Sequence, residues 1–265
     1  MKAALAILIY AGLTCAGALA PSLVSAAAWP QAAGHTETIF SLEPGGADRA
    51  FDAKGAADAP LPQWDQTDAS VYIDHGVTSR LSLTGKINLK AYDTGDARFS
   101  GLSSLEFGGR YALHDGADYI LSAGASLEGL GRGRRDDFDS VFGRQGTDAD
   151  LRVYFGRNLR VAGQDAFLDV QAARHFRQYN PDQWRFDATL GLKPSPRWMV
   201  LMQGFAGRAD KQAGYAVAWL NGEVSLVRGF GAHSQTCVQL GVRRTVSGRN
   251  VPQVTALVAS LWRRY

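Results

Sequence analysis

Cysteine is nearly missing from this chain, with Cys15 and Cys237 its two thiols. Cys15 lies in an N-terminal leader, so one thiol is left, too few for an internal disulfide or a cysteine-built metal cluster. Beyond that leader no apolar run approaches the roughly 20 residues of a membrane-spanning helix. The HEXXH zinc pattern, glycine-rich phosphate loops and CxxC pairs are absent as well, which leaves no motif for a cofactor or a metal. Net charge is also scarce. Removing residues 1–26 takes away Lys2 and no acid, so 28 basic residues become 27 against 25 acidic ones, a charge of +2. Such a balance is not the footprint of a nucleic-acid partner.

The leader has the three parts of a signal peptide. Lys2 is the positive start, residues 3–20 are almost wholly apolar, and Val24-Ser25-Ala26 is a small-residue cleavage site. Gly12, Gly17 and Pro21 break the stretch too often for an anchor, and Thr14 before Cys15 does not make a lipoprotein signal. The expected division is therefore a signal peptide over residues 1–26 and one domain over 27–265.

What remains alternates. Leu81, Leu83, Ile87 and Leu89 form one face of a segment whose other face is Ser82, Thr84, Lys86, Asn88 and Lys90. Phe186, Ala188, Leu190 and Leu192 oppose Arg185, Asp187, Thr189 and Lys193 in the same way, as do Ala166, Leu168, Val170 and Ala172 against Asp169 and Gln171. At helical period the lysines would scatter around the apolar stripe, so period two, a strand, is the reading. Weaker copies cover residues 35–42, 69–75, 103–113, 118–128, 148–156, 197–207, 215–227, 234–245 and 251–265. The total is about twelve. The last strand places Leu257, Ala259, Leu261 and Tyr265 on one face, interrupted by Arg263, and ends the chain on an aromatic residue. With a secretory leader, these features predict an all-β fold, a transmembrane antiparallel β-barrel of about 12 strands in a bacterial outer membrane. A soluble two-sheet sandwich would also alternate, but it requires neither an even strand count nor alternating long and short links.

The links do take turns. Short ones are expected at residues 76–79, 114–117, 158–164, 193–196 and 228–232, and longer ones at 43–67, 93–102, 129–146, 179–183, 209–214 and 247–250. The first long loop, rich in Ala, Gly, Asp and Pro, reads as mobile. Trp198, Phe230 and Trp262 are expected in a periplasmic aromatic girdle, and Phe176, Trp184, Tyr92 and Tyr215 in an outer one.

Chemistry is sparser than architecture. Opposite the lipid face stand Lys86, Lys90, Glu106, Arg110, Glu128, Arg152, Asp169, Arg185, Asp187, Glu223 and Arg243. Six basic and five acidic residues give no strong selectivity by sign. They either line a narrow water-filled pore or pair across it and close it. A hydrolase would need a nucleophile oriented by a histidine, and His175 with Ser122 or Ser126 lacks any spacing that ties them together, so no enzyme is expected. In the loop 129–146, Arg132, Arg134 and Arg135 match anionic sugars or lipopolysaccharide phosphates. Asp136, Asp137 and Asp139 lack the ligand spacing of a calcium loop.

Three segments carry a resemblance: Ala28-Trp29-Pro30, the hairpin from Asp74 to Leu83, and the ending Leu261-Trp262-Arg263-Arg264-Tyr265. They resemble a family of poorly characterised proteobacterial outer-membrane barrels, some grouped with exopolysaccharide or biofilm loci. The hairpin also resembles the EYGLTDRLTL-like turn of outer-membrane transporter barrels, with His75 and Ser79 where that turn has Tyr and Asp. The resemblance implies surface or export duty and transfers no catalytic residue. The expectation is a narrow pore or export accessory for small solutes or exopolysaccharide. Its partners are membrane lipid and lipopolysaccharide, polysaccharide, and the barrel-assembly machinery during insertion. The alternatives are an adhesive barrel that anchors polymer through its outer loops and a lipid-modifying enzyme.

Overall fold

The computed structural model describes residues 27–61, 63–130, 134–136, 146–211, 216–231 and 234–265. The expected leader, residues 1–26, lies outside them. The strands in chain order are β1 (Thr36–Gly46), the short β2 (Arg49–Phe51) and β3 (Ala59–Pro60), β4 (Asp65–Gly76), β5 (Leu81–Asp93), β6 (Arg98–Asp115) and β7 (Tyr119–Leu130). There follow the short β8 (Arg134–Asp136), β9 (Asp148–Val161), β10 (Gln164–Phe176), β11 (Gln183–Ser195), β12 (Trp198–Ala209), β13 (Ala218–Phe230), β14 (Thr236–Arg249), the short β15 (Val251–Pro252) and β16 (Thr255–Arg264). Among the described residues, the twelve long strands each pair antiparallel with their neighbours in sequence. The sheet then closes where β1 meets β16, with Ile39 opposite Trp262 and Ser41 opposite Ser260. The result is an up-and-down barrel with no free edge among its staves.

Side-chain polarity is turned inside out relative to a soluble domain. Phe107, Leu127, Val224, Leu240 and Leu257 are each at least 61% exposed, whereas Arg110, Asp169, His175 and Glu223 are at most 3% exposed. Alternation explains both facts, because successive side chains leave opposite faces of each strand. A monomer in water does not surround itself with such an apolar belt, so its solvent is lipid. The last strand obeys the rule in full. Ala256, Val258, Ser260 and Trp262 are buried inside, and Leu257 and Tyr265 are exposed.

Several expectations are corrected. Trp198, Phe230, Phe176 and Trp184 do face outward, near the strand ends, with Arg228 over Trp198 and Phe230 and Arg174 over Phe176 and Trp184. Trp262 does not, because its position places it in the same inward row as Ser260. It joins a core of Phe167, Met199, Leu201, Val227 and Cys237. Tyr92 also points inward, against Asp68 and Lys90, and Tyr215 lies outside the described residues. The link expected over residues 158–164 is a two-residue turn, since Val161 already pairs with Gln164. Ala162 and Gly163, with φ of 50° and 79°, supply the left-handed pair that such a hairpin needs. The link expected over 93–102 shrinks to residues 94–97, because Arg98 pairs with Asp93 and β6 begins there. A bulge at Ser103, which shifts the register between Asn88 and Leu89, hid that continuation from the alternation pattern.

The first outer loop is also more structured than its composition indicated. β2 pairs with β3 on one side and with β15 on the other, a three-stranded sheet above the barrel rim. Phe51 is buried there against Gly248 and Val251. Between β2 and β3 the carboxylate of Asp52 accepts the amides of Ala56 and Lys54, both at 2.8 Å.

Two predictions follow from this layout. Leu240→Arg, which would put a guanidinium in mid-stave facing lipid, is expected to cost about 2–4 kcal/mol of folding stability, read by equilibrium urea unfolding in vesicles. An unchanged midpoint would contradict the assigned outer face. The amide of Ala56, then that of Lys54, holds the Asp52 carboxyl below the usual carboxylate range. A depressed folded value means that the turn is supported above the unfolded pKa of about 4 and loses that support as pH falls through the folded value. The amide proton shifts of Lys54 and Ala56 should therefore titrate together at acidic pH, and Asp52→Asn should abolish the titration.

Candidate functional site

The inward rows of the staves enclose a cavity of about 440 Å³, and residue Ala27 forms part of its floor. Residues 27–31 do not run along the outside of the barrel. They turn into the lumen, and four main-chain groups are gripped by four different strands. The Ala28 amide donates to Asp169 Oδ2 of β10 at 2.6 Å, and the Ser122 hydroxyl of β7 donates to the Ala28 carbonyl at 2.7 Å. Arg110 Nη2 of β6 donates to the Trp29 carbonyl at 3.0 Å. The Gln31 amide donates to Ser82 Oγ of β5 at 2.8 Å.

The Trp29 side chain joins two apolar clusters. On one side it meets Phe167 edge to face, with ring centroids 6.4 Å apart, beside the core of Met199, Leu201, Val227, Cys237 and Trp262. On the other it packs with Ala28, Ala112 and Ile120. Gly156 is required at this contact, because a Cβ there would stand 2.5 Å from the Trp29 ring. Behind the segment the chain reverses into β1. The His35 amide donates to the Ala32 carbonyl, and Gly34 adopts φ 78°. That left-handed conformation favours glycine.

Around and above this plug the eleven sequence-derived lumen residues all lie on inward rows, Glu128 among those that line the cavity. Arg110 is buried against Asp74 at 2.6 Å. Arg152 bonds Asp150 and Asp187, and Gln171 links Arg152 to Asp169. Arg243 bridges Glu43 and Glu223 at 2.6 and 2.7 Å. Lys90 pairs with Asp68 at 3.4 Å. Glu106 accepts a hydrogen bond from Ser126 and stands opposite Lys86 in register. Lys86 and Arg185 differ from the rest. Both line the cavity, and neither has an acidic partner within ion-pair distance among the described residues.

The interior therefore combines both of the arrangements that the sequence left open. Most charges are neutralised by neighbours on adjoining staves, and a cavity remains in which Lys86 and Arg185, the latter bonded to Gln183, have no ion-pair partner among the described residues. His175 lies between Asp148 at 3.4 Å and Asp150 at 3.5 Å, while Ser122 holds the plug and Ser126 bonds Glu106. Of the outer arginines, Arg132 lies outside the described residues. The backbones of Arg134 and Arg135 pair with Ser100 and Phe99.

The alternation put Ser82 on the polar face of its strand without giving it a role, and it did not single out Asp74 or Glu37. Glu37 is buried and ion-paired with Arg264 at 2.7 Å. Asp74 shares the inward row of Ser70 and Tyr72, a signal present in the sequence but weak beside Ile73. Nothing in the periodicity pointed to residues 27–31, which belong to no strand. Removing the partner of a buried charge costs about 3–5 kcal/mol. Asp74→Ala, which strands the Arg110 guanidinium, should lower folding stability by that order in a denaturant titration. A loss indistinguishable from zero would show that the pair is not buried as described.

Closed staves, a lipid-facing apolar belt and a charged interior define the class, an outer-membrane β-barrel. No protein-family model and no curated protein matches the sequence. The fold is shared with known structures. The COG4313 outer membrane channel from Pseudomonas putida F1 superposes with a TM-score of 0.69 at 15% identity, covering 92% of this chain and 100% of that one. The NanC porin gives 0.52 at 9% identity, over 83% and 97% of the two chains. The KdgM porin in complex with disordered oligogalacturonate gives 0.50 at 10%, over 85% and 98%.

Proposed function

We propose that this barrel is a narrow channel for small solutes, entered at the outer mouth and regulated at its periplasmic floor by residues 27–31. The observation that carries this reading is the polar cavity of about 440 Å³ whose floor includes Ala27. A structural barrel has no need of such a space, and a fully plugged one would fill it. The channel and porin neighbours, which share the fold, agree with it. The size of the cavity favours a small solute. An exopolysaccharide strand would occupy the whole lumen and would require the plug to leave first.

Lys86 and Arg185 are the residues expected to set ion preference, because a charge without an acidic partner keeps its field in the lumen. The paired arginines contribute less. In planar bilayers the refolded chain should show small, intermittent conductance steps. The double variant Lys86→Glu with Arg185→Glu should move the reversal potential in a salt gradient toward cation preference. Steps that never occur at any voltage, or a preference that does not move, would overturn the channel reading.

A further inference from the structure

The four hydrogen bonds that hold residues 27–31 have a property beyond closing the floor. Ser122 and Arg110 donate to two successive carbonyls, while Asp169 and Ser82 accept from two amides. Those wall side chains are nearly inaccessible, at most 2% exposed. They recognise main chain, which every peptide carries. Side chains are read at the notch formed by Gly156 and Phe167, which receives the indole of Trp29 and also meets the Ala28 methyl. Pro30 follows the turn at residues 27–29, and its fixed φ stiffens the segment there.

We infer that the lumen floor is a binding site for short peptides, or peptide-like amphiphiles, that carry an aromatic side chain and take the turned backbone of residues 27–29, and that residues 27–31 are its tethered occupant. The inference rests on the reading of those residues as a movable floor. Three features make the occupant displaceable. It lies ahead of the Gly34 turn, which is pinned to β4 by the Gly34 amide on the Gly76 carbonyl at 2.8 Å, so residues 27–31 would leave without disturbing β1. It satisfies the site incompletely, since Asp74 Oδ1 and Arg110 Nε of the wall are buried without a hydrogen-bond partner among the described residues, as is its own Gln31 Nε2. Its contacts are also those that any chain of similar chemistry would make. An incoming peptide would offer the same alternation of carbonyls and amides to Arg110, Ser122, Asp169 and Ser82, and an aromatic ring to the notch at Gly156. Such a solute would open the floor by taking the place of the plug. A solute without these groups would find the floor shut, which couples passage to ligand chemistry.

The test uses a chain lacking residues 27–31, folded in detergent and checked by its heat-modifiable mobility, with the probe Ala-Ala-Trp-Pro-Gln labelled at its C-terminus with fluorescein. Fluorescence anisotropy should show saturable binding, weakened roughly tenfold or more when the probe carries Ala in place of Trp. Gly156→Val in the same background should weaken the Trp probe, because the new side chain would occupy the space of the indole. Absence of binding to the folded barrel, or equal binding of both probes, would overturn the inference. If the deletion does not fold, the full-length chain with Trp29→Ser and Gln31→Ser replaces it, with the same outcomes. Conductance of the variant without peptide keeps the two readings apart. A conducting barrel that ignores the probe overturns the peptide site alone, whereas a silent barrel that binds the probe overturns the channel and leaves the site standing.

Discussion

The antiparallel seam between β1 and β16 removes the two free edges that an open twelve-stranded sheet would present to lipid. In hydrocarbon no water is available to an unpaired amide or carbonyl, and each such group costs several kcal/mol. Closure is therefore the condition under which the other features of the molecule can exist. It fixes which side of every strand is outside, and so it sorts the alternating sequence into a lipid-facing belt of leucine, valine and phenylalanine and an enclosed interior. The inward charges follow from it as well. Arginine and aspartate are tolerated there because neighbouring staves bring them within bonding distance, as Asp74 and Arg110 show at 2.6 Å.

Closure also creates the problem that residues 27–31 resolve. Twelve staves enclose more space than their own inward side chains fill, and the two ends of that space are treated differently. Near the periplasmic end Trp262, Phe167, Met199 and Leu201 turn inward, and Trp29 completes the apolar packing between them and Ile120. Above it the walls are polar, and Lys86 and Arg185 line the cavity. The floor is thus a contact between residues 27–31 and the inner wall, made of four hydrogen bonds to main chain and the packing of Trp29.

Much of the barrel could be read from the residues. Strong alternation in β5, β10 and β11 revealed those strands, the final aromatic strand pointed to the membrane, and the charges assigned to the interior stand on inward rows. What the pattern could not convey were features that depend on three dimensions. The bulge at Ser103 breaks period two and concealed the start of β6. Trp262 was misplaced because an aromatic near a strand end has the same composition whether it faces lipid or lumen; its parity with Ser260 was the clue that decided the matter. The small sheet of β2, β3 and β15 joins segments nearly two hundred residues apart, and no local signal announces such a pairing. Of residues 27–31 the sequence offered only a resemblance, carried by Ala28-Trp29-Pro30. Their partners on β5, β6, β7 and β10 become visible as a set only once the staves are closed.

The most direct test of the account is the single-channel conductance of the chain with and without residues 27–31, recorded in the same bilayer and salt. The account predicts brief, small steps for the intact chain and a larger, sustained conductance after removal, because the cavity would then continue through the floor. Equal conductance in the two, or a folded variant that stays silent, would show that residues 27–31 do not control passage and that the lumen is closed by its own walls.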